Sequence, residues 1–415
     1  MTTETYSGGQ DPLFSVGNGD ILPHVAYGAT FDNAVDDKRI YVTGQWSYPD
    51  YFYVAEHYDY GTPTGREYYS QVPTGSSASG LALFMQGDGI VVLGALTLPG
   101  RQGYFPFMSK VTRQLQLVPT FGNPATPGYA ILGPESGLEG LETLDQLTAR
   151  VTPRGIYILA GGEGARPNRL ISLDLQGRLD TAFNGSGVLA ITGQANHDLH
   201  LRALEVPEPY DRLIVAGDET AAGAARATGV FAGVTLAGVL DQGFGAGGFV
   251  RHAIPQASAA VSGSLLKHQL KWAVVGLGKA LSDTQHSSLL ISVNQDGSND
   301  TDLNQGEPLL LEDGLGDLTW LHGAQDPISG VIVAGVRHNP ANAAQTWPAF
   351  GRIGANGALD PTFGEGGVVT VRDVGFNPNT NKVQAMFVAT ANRLVVTGFA
   401  SRSGTKSFMR GYLLR

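Results

Sequence analysis

The sequence predicts an all-β fold, a single seven-bladed β-propeller domain over residues 1–415 with four-stranded antiparallel blades. Three observations lead to this prediction. One turn motif recurs at intervals of about 60 residues, which is typical of a repeat architecture. Short apolar runs that end in a small residue occur once in each repeat, and the two ends of the chain carry complementary parts of one repeat.

The recurring motif is an Asp-to-Phe turn followed by glycines and a β-branched run. Its clearest copy is the stretch 358–369, Ala-Leu-Asp-Pro-Thr-Phe-Gly-Glu-Gly-Gly-Val-Val. Other copies, some of them degenerate, begin at Val118, Asp180, Asp241 and Asp300. An Asp accepts hydrogen bonds from nearby backbone N–H groups, and glycines permit positive φ. The motif therefore predicts a tight turn that leads into a strand, with the large rings of Phe183, Phe244 and Phe363 buried between blades.

Each repeat also contains a short β-branched run that ends in glycine. The seven runs begin at Ile40, Ile90, Ile156, Leu213, Ala273, Val331 and Leu394. A candidate strand precedes each run, another follows most of them, and the Asp-to-Phe turn leads into one more. Four strands in each of seven units fit a propeller.

The ends of the chain complete one blade. The last unit stops at Arg415 after its third strand, and its missing turn and fourth strand occur within residues 9–22, around Asp11, Phe14 and Ile21. The N-terminal segment is therefore predicted to form the outermost strand of the last blade. This arrangement would remove an exposed sheet edge.

The repeated Leu-Asp-x-x-Phe-Gly-x-Gly-Gly pattern resembles the delta-60 repeat family of bacterial β-propellers. The resemblance covers nearly the whole chain, is strongest at Asp180, Asp241 and Asp360, and is lost in the first unit around Glu67. The family often has an Arg on the third strand, which Arg352 matches. The resemblance implies a propeller fold and no established chemistry.

Composition narrows the classes of function. The formal net charge is -10 and no run of Lys or Arg occurs, which disfavours nucleic-acid binding because that needs a basic surface. No apolar stretch approaches the ~20 residues of a membrane span. The absence of Cys excludes a disulfide scaffold and a thiolate site. The N-terminus lacks a signal-peptide apolar segment, so a cytoplasmic location is the default expectation, and export without an N-terminal signal stays open.

Catalytic signatures are scarce. The sequence has no His-Glu-x-x-His, Walker or Gly-x-Ser-x-Gly motif. His197 and His200 are the only close His pair, and their odd offset would point them to opposite faces of a strand. No metal and no cofactor are therefore predicted.

Propeller geometry indicates where a ligand would bind. The loops between strands two and three share one face with the blade-to-blade loops, and this face surrounds the central channel. The candidate ligand-binding residues in these loops are Trp46, Tyr48, Asp198, Glu219, Asp317, His338 and Trp347. Asp198 and Asp317 precede inner strands, where they would either hold a cation or polar ligand at the channel mouth or simply cap loops.

The first unit is unusually aromatic from Trp46 to Tyr53, and Tyr58, Tyr60, Tyr68 and Tyr69 follow. Alternation places Tyr51 and Tyr53 on one face of a strand and Phe52 on the other. Tyr and Trp combine an apolar body with a polar edge, which suits contacts with a sugar or a protein. A binding patch and an altered core between two blades are both compatible with this pattern.

Two functions fit these observations. The first is a non-enzymatic binding or interaction propeller that recognises a glycan, a small polar ligand or a protein on its loop-rich channel face. The alternative is a hydrolase or lyase in which Asp198, Glu219, Asp317 or His338 converge at the channel mouth. The scarce catalytic motifs, the low charge and the aromatic first unit favour binding.

Overall fold

The computed structural model is built almost entirely from β-strands. It describes residues 13–14, 21–22, 25–32, 38–46, 51–73, 77–134, 137–162, 166–207, 209, 211–224, 227–253, 263–268, 271–279, 286–311, 318–326, 330–339, 342–354, 356–371, 382–390, 393–401 and 405–414. Two short 3-10 turns, Leu144–Gln146 and Asn304–Gly306, also occur in these ranges.

The strands form four-stranded antiparallel sheets, which are numbered here in chain order. Sheet 1 follows the N-terminal strand β1 (Ile21–Leu22) and contains β2 (Val25–Asp32), β3 (Arg39–Gln45), β4 (Tyr51–Tyr58) and β5 (Pro63–Gln71). Sheet 2 contains β6 (Ser77–Gln86), β7 (Gly89–Thr97), β8 (Phe105–Thr112) and β9 (Tyr129–Ile131). Sheet 3 contains β10 (Leu147–Thr152), β11 (Gly155–Ala160), β12 (Asn168–Leu173) and β13 (Val188–Ile191).

The later sheets have the same order. Sheet 4 contains β14 (His197–Glu205), β15 (Arg212–Ala221), β16 (Ala227–Thr235) and β17 (Phe249–Ala253). Sheet 5 contains β18 (Gly263–His268), β19 (Lys271–Lys279), β20 (His286–Asn294) and β21 (Leu309–Leu311). Sheet 6 contains β22 (Leu318–Gln325), β23 (Val331–Asn339), β24 (Asn342–Ile353) and β25 (Val368–Thr370). Sheet 7 contains β26 (Lys382–Thr390), β27 (Arg393–Ser401), β28 (Thr405–Leu413) and the N-terminal β1.

The sheets are arranged as a propeller. The first strand of each sheet contacts the first strand of the next, and β26 of sheet 7 contacts β2 of sheet 1. Each first strand lies at one edge of its sheet, and the other strands follow outward in chain order, except that the outermost strand of sheet 7 is the N-terminal β1. The first strands therefore line the central axis. Propeller architecture and the four-stranded antiparallel blade are both as the sequence predicts.

The β-branched runs form the second strand of every sheet. In β7 and β11 all but one terminal residue are buried, because each second strand has a neighbouring strand on both edges and a neighbouring sheet on both faces. Apolar side chains on such a strand leave water on both faces, which explains the continuous apolar runs in the sequence.

The Asp-to-Phe turns have the predicted hydrogen bonds. In the turn at Asp241, the Asp Oδ1 accepts from the Gly243 N–H at 3.0 Å, and the Phe244 N–H donates to the Asp241 carbonyl at 2.9 Å. The same bonds recur at Asp180 and Asp360. The predicted burial of the repeated Phe is confirmed, since Phe183, Phe244 and Phe363 are all 0% exposed.

Phe121, Phe183 and Phe244 each pack against the next sheet at a glycine, which is Gly177, Gly238 and Gly297 respectively. Gly177 and Gly297 lie in the turns after the third strands of sheets 3 and 5, with φ of 79° and 81°. A Cβ added at Gly177 would lie 2.6 Å from the ring of Phe121, and one added at Gly297 would lie 3.2 Å from Phe244. These turns therefore require glycine both for the positive φ and for the close approach of the preceding Phe.

The predicted closure of the last sheet is confirmed. Strand β1 pairs antiparallel with β28, where Ile21 lies opposite Phe408 and Leu22 opposite Ser407. Phe14, only 3% exposed, packs on Gly411 of β28 and on Gly61 of sheet 1. The N-terminal segment therefore covers the edge of sheet 7 and fills its seam with sheet 1.

Candidate functional site

The predicted site residues do not come together. Trp46 follows β3 in sheet 1, Asp198 and Glu219 lie in sheet 4, and His338 and Trp347 lie in sheet 6. Tyr48 and Asp317 lie outside the described residues, and the side chain of His338 is not described either. The candidates that can be placed are thus distributed over three sheets of the ring.

Four of these residues lie on strands, so their prediction as loop residues was wrong. Asp198 is the second residue of β14, Glu219 lies within β15, and His338 and Trp347 pair across β23 and β24 with Thr346 and Arg337. The apolar run of β15 ends at Gly217, but the backbone ladder continues to Ala221. Ladder hydrogen bonds join backbone groups and need no apolar side chain, so the end of an apolar run does not mark the end of a strand.

Glu219 is a structural group between sheets 3 and 4. Its side chain is 2% exposed, its Oε2 accepts from Arg251 Nε at 2.6 Å, and its Oε1 accepts from the Gln194 N–H at 2.6 Å. Burial alone would raise the pKa of Glu219, but the bonds from Arg251 and Gln194 outweigh burial and lower it. The carboxylate is therefore ionised and engaged, which does not suit a general acid.

Asp198 and Glu219 cannot act on one ligand. Asp198 lies opposite Thr220 and Leu199 lies opposite Glu219, so successive residues point to opposite faces of sheet 4. Asp198 is exposed. His200 Nδ1 lies 3.6 Å from Asp218 Oδ2 on the face turned toward sheet 5. Among the described side chains, no three His, Asp or Glu residues are grouped as metal ligands would be.

Sheet 1 carries a contiguous aromatic surface, named here the aromatic rim and formed by Trp46, Tyr51 and Tyr69. The ring centroid of Trp46 lies 5.9 Å from that of Tyr51 and 5.1 Å from that of Tyr69. Each of the three side chains is only half-buried. The rim therefore runs outward from the end of β3 to the outermost strand β5, along the edge of the sheet where strands two and three connect.

A buried tyrosine and a carboxylate support the rim. Tyr53 is 2% exposed and lies opposite Tyr69 in the register of β4 and β5. The hydroxyl of Tyr69 donates to Glu67, whose carboxylate is exposed. Burial, together with that hydrogen bond and the charge of Glu67, raises the pKa of Tyr69 well above its ordinary value. The Tyr69 hydroxyl is therefore neutral at physiological pH and keeps a proton to donate.

The opposite face of the same strands has a packing role. Phe52 is 0% exposed, and its ring centroid lies 5.2 Å from Phe107 and 6.5 Å from Tyr129 of sheet 2. Tyr68 also contacts Phe52, and its hydroxyl lies 3.2 Å from that of Tyr129. The expected alternation of Tyr51 and Tyr53 against Phe52 is thus confirmed, and the aromatic content of the first unit divides between a rim and a seam.

The candidate ligand-binding residues did not include Tyr69 of the rim or its neighbour Glu67. Tyr69 and Glu67 lie more than ten positions from Trp46, and only the register of β4 with β5 brings Tyr69 opposite Tyr53. The signal available in sequence was the alternation of Glu67, Tyr69 and Gln71 on one face of a strand.

In the described part of the chain, no helix is long and apolar enough to span a membrane.

Comparison with known proteins shows the architecture only. No protein-family model and no curated protein matches the chain. Among solved structures, the polysaccharide lyase Uly1 is 10% identical with a TM-score of 0.49, covering 100% of this chain and 94% of its own. A protein of unknown function from Dyadobacter fermentans is 11% identical with a TM-score of 0.43, covering 95% of each chain.

The β-propeller domain of the trilobed protease from Pyrococcus furiosus is 10% identical with a TM-score of 0.42, covering 81% of each chain. At these identities a likeness concerns the fold and not the activity. The chain is an all-β propeller built from four-stranded antiparallel blades.

Proposed function

We propose that the protein is a non-enzymatic binding propeller that recognises a glycan through the aromatic rim of sheet 1. The observation that carries the proposal is the contiguous, half-buried surface of Trp46, Tyr51 and Tyr69. Phe52 and Tyr53 of the same strand are buried, whereas the three rim rings are not. Rings that stay partly exposed at the edge of a rigid sheet are available to a ligand.

The chemistry around the rim suits a sugar. The faces of Trp and Tyr rings offer apolar surface to the C–H groups of a pyranose ring, and their polar edges remain hydrated. The exposed carboxylate of Glu67 accepts hydrogen bonds from sugar hydroxyls, and the Gln71 side chain, which is also exposed, can donate and accept. Gln71 lies opposite Tyr51, so these polar groups border the rings on the same face.

We propose further that the ring contains seven blades and that the chain is a delta-60 repeat propeller. The described residues form seven four-stranded sheets, and the recurring Asp-to-Phe turns support a common repeat. An experimental structure with a different number of sheets around the axis would contradict this count.

A glycan array followed by affinity electrophoresis tests the function. The array should include neutral glucans, mannans and galactans together with polyuronates. We expect the wild-type protein to be retarded by at least one polymer, and Trp46→Ala to lose at least ~90% of the affinity, because it removes the central ring of the rim. Tyr60→Ala is the matched control, since Tyr60 is 43% exposed and lies at the opposite end of β4.

Three outcomes would contradict the proposal. They are retention of no polymer, unchanged binding by Trp46→Ala, and a fall in the melting temperature of Trp46→Ala as large as that of a core variant. Release of new reducing ends from a bound polymer would show that the protein is an enzyme instead.

A further inference from the structure

The first strands share a β-bulge at one repeated position. A bulge inserts one extra residue opposite the second strand. The bulge occurs in five of the first strands, always opposite the end of the apolar run in the second strand. In sheet 1, for example, Ala26 pairs with Gly44 and Gly28 pairs with Thr43, so the residue between them has no partner. The extra residues are Tyr27, Leu81, Arg202, Leu321 and Gln384.

These residues lie at one level of the central channel. Each bulge is opposite an equivalent glycine, such as Gly44 in sheet 1 and Gly217 in sheet 4. The first strands are the innermost strands, and each contacts the first strand of the next sheet. The bulge positions therefore form a ring around the axis, near the end where strands two and three connect.

Residue choice at the bulges differs from residue choice elsewhere in the repeat. Some packing positions keep the same residue in several sheets, as Phe121, Phe183 and Phe244 and the glycines Gly177, Gly238 and Gly297 do, because each fits against a neighbouring sheet. Of the five bulge residues, Tyr27 is aromatic, Leu81 and Leu321 are aliphatic, Arg202 is cationic and Gln384 is an amide. Bulges re-aim side chains and are common beside active and binding sites. Such a mixed set of apolar and polar groups is typical of a ligand site.

Arg202 is the member of the ring that points to a ligand class. It is half-buried on β14, and its Nε is enclosed without a hydrogen-bond partner among the described residues. It also makes no ion pair within that part of the chain, although Asp and Glu outnumber Lys and Arg by 37 to 27. Taking a charge partly out of water without a partner is unfavourable. A planar guanidinium matches a carboxylate through two parallel hydrogen bonds.

Tyr27 adds a second polar group to the ring. It is half-buried, and burial followed by the nearby Tyr104 raises the pKa of its hydroxyl. The group therefore keeps its proton at neutral pH and can donate a hydrogen bond to an oxygen.

We propose that the ring of bulge residues binds a small carboxylate-bearing molecule in the channel, with Arg202 holding the carboxylate. The site shares no residue with the aromatic rim: Arg202 belongs to sheet 4, and of the ring residues only Tyr27 lies in sheet 1 with the rim. The two proposals rest on different residues and can fail independently.

Calorimetric titration of the full-length protein tests this site with glucuronate, galacturonate, citrate and acetate, and with glucose as the neutral partner of glucuronate. We expect saturable binding of at least one carboxylate and none of glucose. Arg202→Gln should weaken that binding by at least ~10-fold, which is a loss of ~1.4 kcal/mol. Arg101→Gln, at an exposed Arg outside the ring, is the control and should bind as the wild type does.

Trp46→Ala separates the two sites. It should leave carboxylate binding unchanged while removing binding of the polymer at the rim. The inference is overturned if none of the four carboxylates binds, if Arg202→Gln binds like the wild type, or if Trp46→Ala removes carboxylate binding as well. Because Arg202→Gln could disturb the fold, its melting temperature is measured in parallel, and Arg202→Lys should restore part of the affinity if the charge is what binds.

Discussion

The seam between sheets 1 and 2 is filled differently from the seams that follow it. Between sheets 2 and 3 and between sheets 4 and 5, Phe121 and Phe244 pack on Gly177 and Gly297 of the next sheet. Sheet 1 lacks the Asp-to-Phe turn, and the sheet 2 position equivalent to Gly177 is Leu115, which has φ of 59° and is buried. The glycine is also kept at Gly357 of sheet 6, where Leu303 takes the place of the Phe and an added Cβ would lie 2.4 Å from its side chain. A close side chain from the preceding sheet, Phe or Leu, therefore requires the glycine, and Leu115 occupies the turn where sheet 1 supplies neither.

Sheet 1 also differs from sheet 6 in the sign of a buried charge at one repeated position of the third strand. In sheet 6, Arg352 of the third strand lies opposite Ile332, its Nε is 3.0 Å from Asp326, and it also contacts Asp360 and the Leu414 carbonyl. In sheet 1, the equivalent residue is Glu56, which lies opposite Tyr41. Its Oε1 accepts from Arg39 at 2.7 Å and from Arg66 at 2.6 Å. One repeat position thus holds a cation between carboxylates or a carboxylate between cations.

The largest expected effect is in a regular seam. Phe244→Ala should lower the free energy of unfolding by about 3–5 kcal/mol, because the ring is 0% exposed and its removal opens a cavity between two sheets. Val239→Ala in the same turn is the control, and since Val239 is 51% exposed it should change stability by less than about 0.5 kcal/mol. Urea denaturation of both variants measures the difference, and equal losses would mean that the seam is not what the Phe stabilises.

The inverted charges give the next largest effect. Arg352→Met should cost about 3 kcal/mol, because it removes the guanidinium from Asp326, whose side chain is only 1% exposed. Glu56→Gln should cost less, about 2 kcal/mol, because Arg66 is 45% exposed and can be solvated after the carboxylate charge is lost. Chemical denaturation at neutral pH compares the two, and a larger loss for Glu56→Gln would reverse this ranking.

The turn glycine should show a smaller but separable effect. Gly297→Ala is expected to cost about 2 kcal/mol, part from its φ of 81° and part from a Cβ that would lie 2.7 Å from the Gly245 nitrogen. Gly223 is the matched control, with φ of 77° and no atom within 4 Å of an added Cβ. Gly223→Ala should cost about 1 kcal/mol from φ alone. If the two variants lose the same stability, the contact between sheets does not select glycine.

The fold was readable from the sequence because its determinants are local and repeated. The Asp241 turn, the apolar run of β15 and the closure by Ile21 each appear within a few consecutive residues. The aromatic rim depends on the register of β4 and β5, and sheet 1 has no Asp-to-Phe turn to mark that register. The bulge at Arg202 adds one residue to a strand without changing its composition, so only the pairing of β14 with β15 reveals it.

The smallest expected effect concerns two buried histidines, one in sheet 1 and one in sheet 4. Burial lowers the pKa of both His57 in sheet 1 and His252 in sheet 4, so each is neutral in the folded protein and takes up a proton more readily when unfolded. Their contribution to stability is complete above the unfolded pKa of about 6.5 and is lost as the pH falls from there toward the folded pKa. Unfolding at pH 7.5 and pH ~5.5 should therefore show a wild-type protein that is less stable in acid.

The two histidines differ in what their removal costs at pH 7.5. His57 Nδ1 bonds to the Gly61 carbonyl at 2.8 Å, so His57→Leu should lose about 1 kcal/mol and leave that carbonyl without its donor. His252 Nε2 is buried with no hydrogen-bond partner among the described residues, so His252→Leu should change stability by less than about 0.5 kcal/mol or increase it. Both variants should lose less stability in acid than the wild type, because each removes one group that binds a proton on unfolding. If His252→Leu loses as much stability in acid as the wild type does, this histidine does not cause the acid destabilisation. A large loss of stability in His252→Leu at pH 7.5 would mean that the His252 ring is needed for packing beside Phe231.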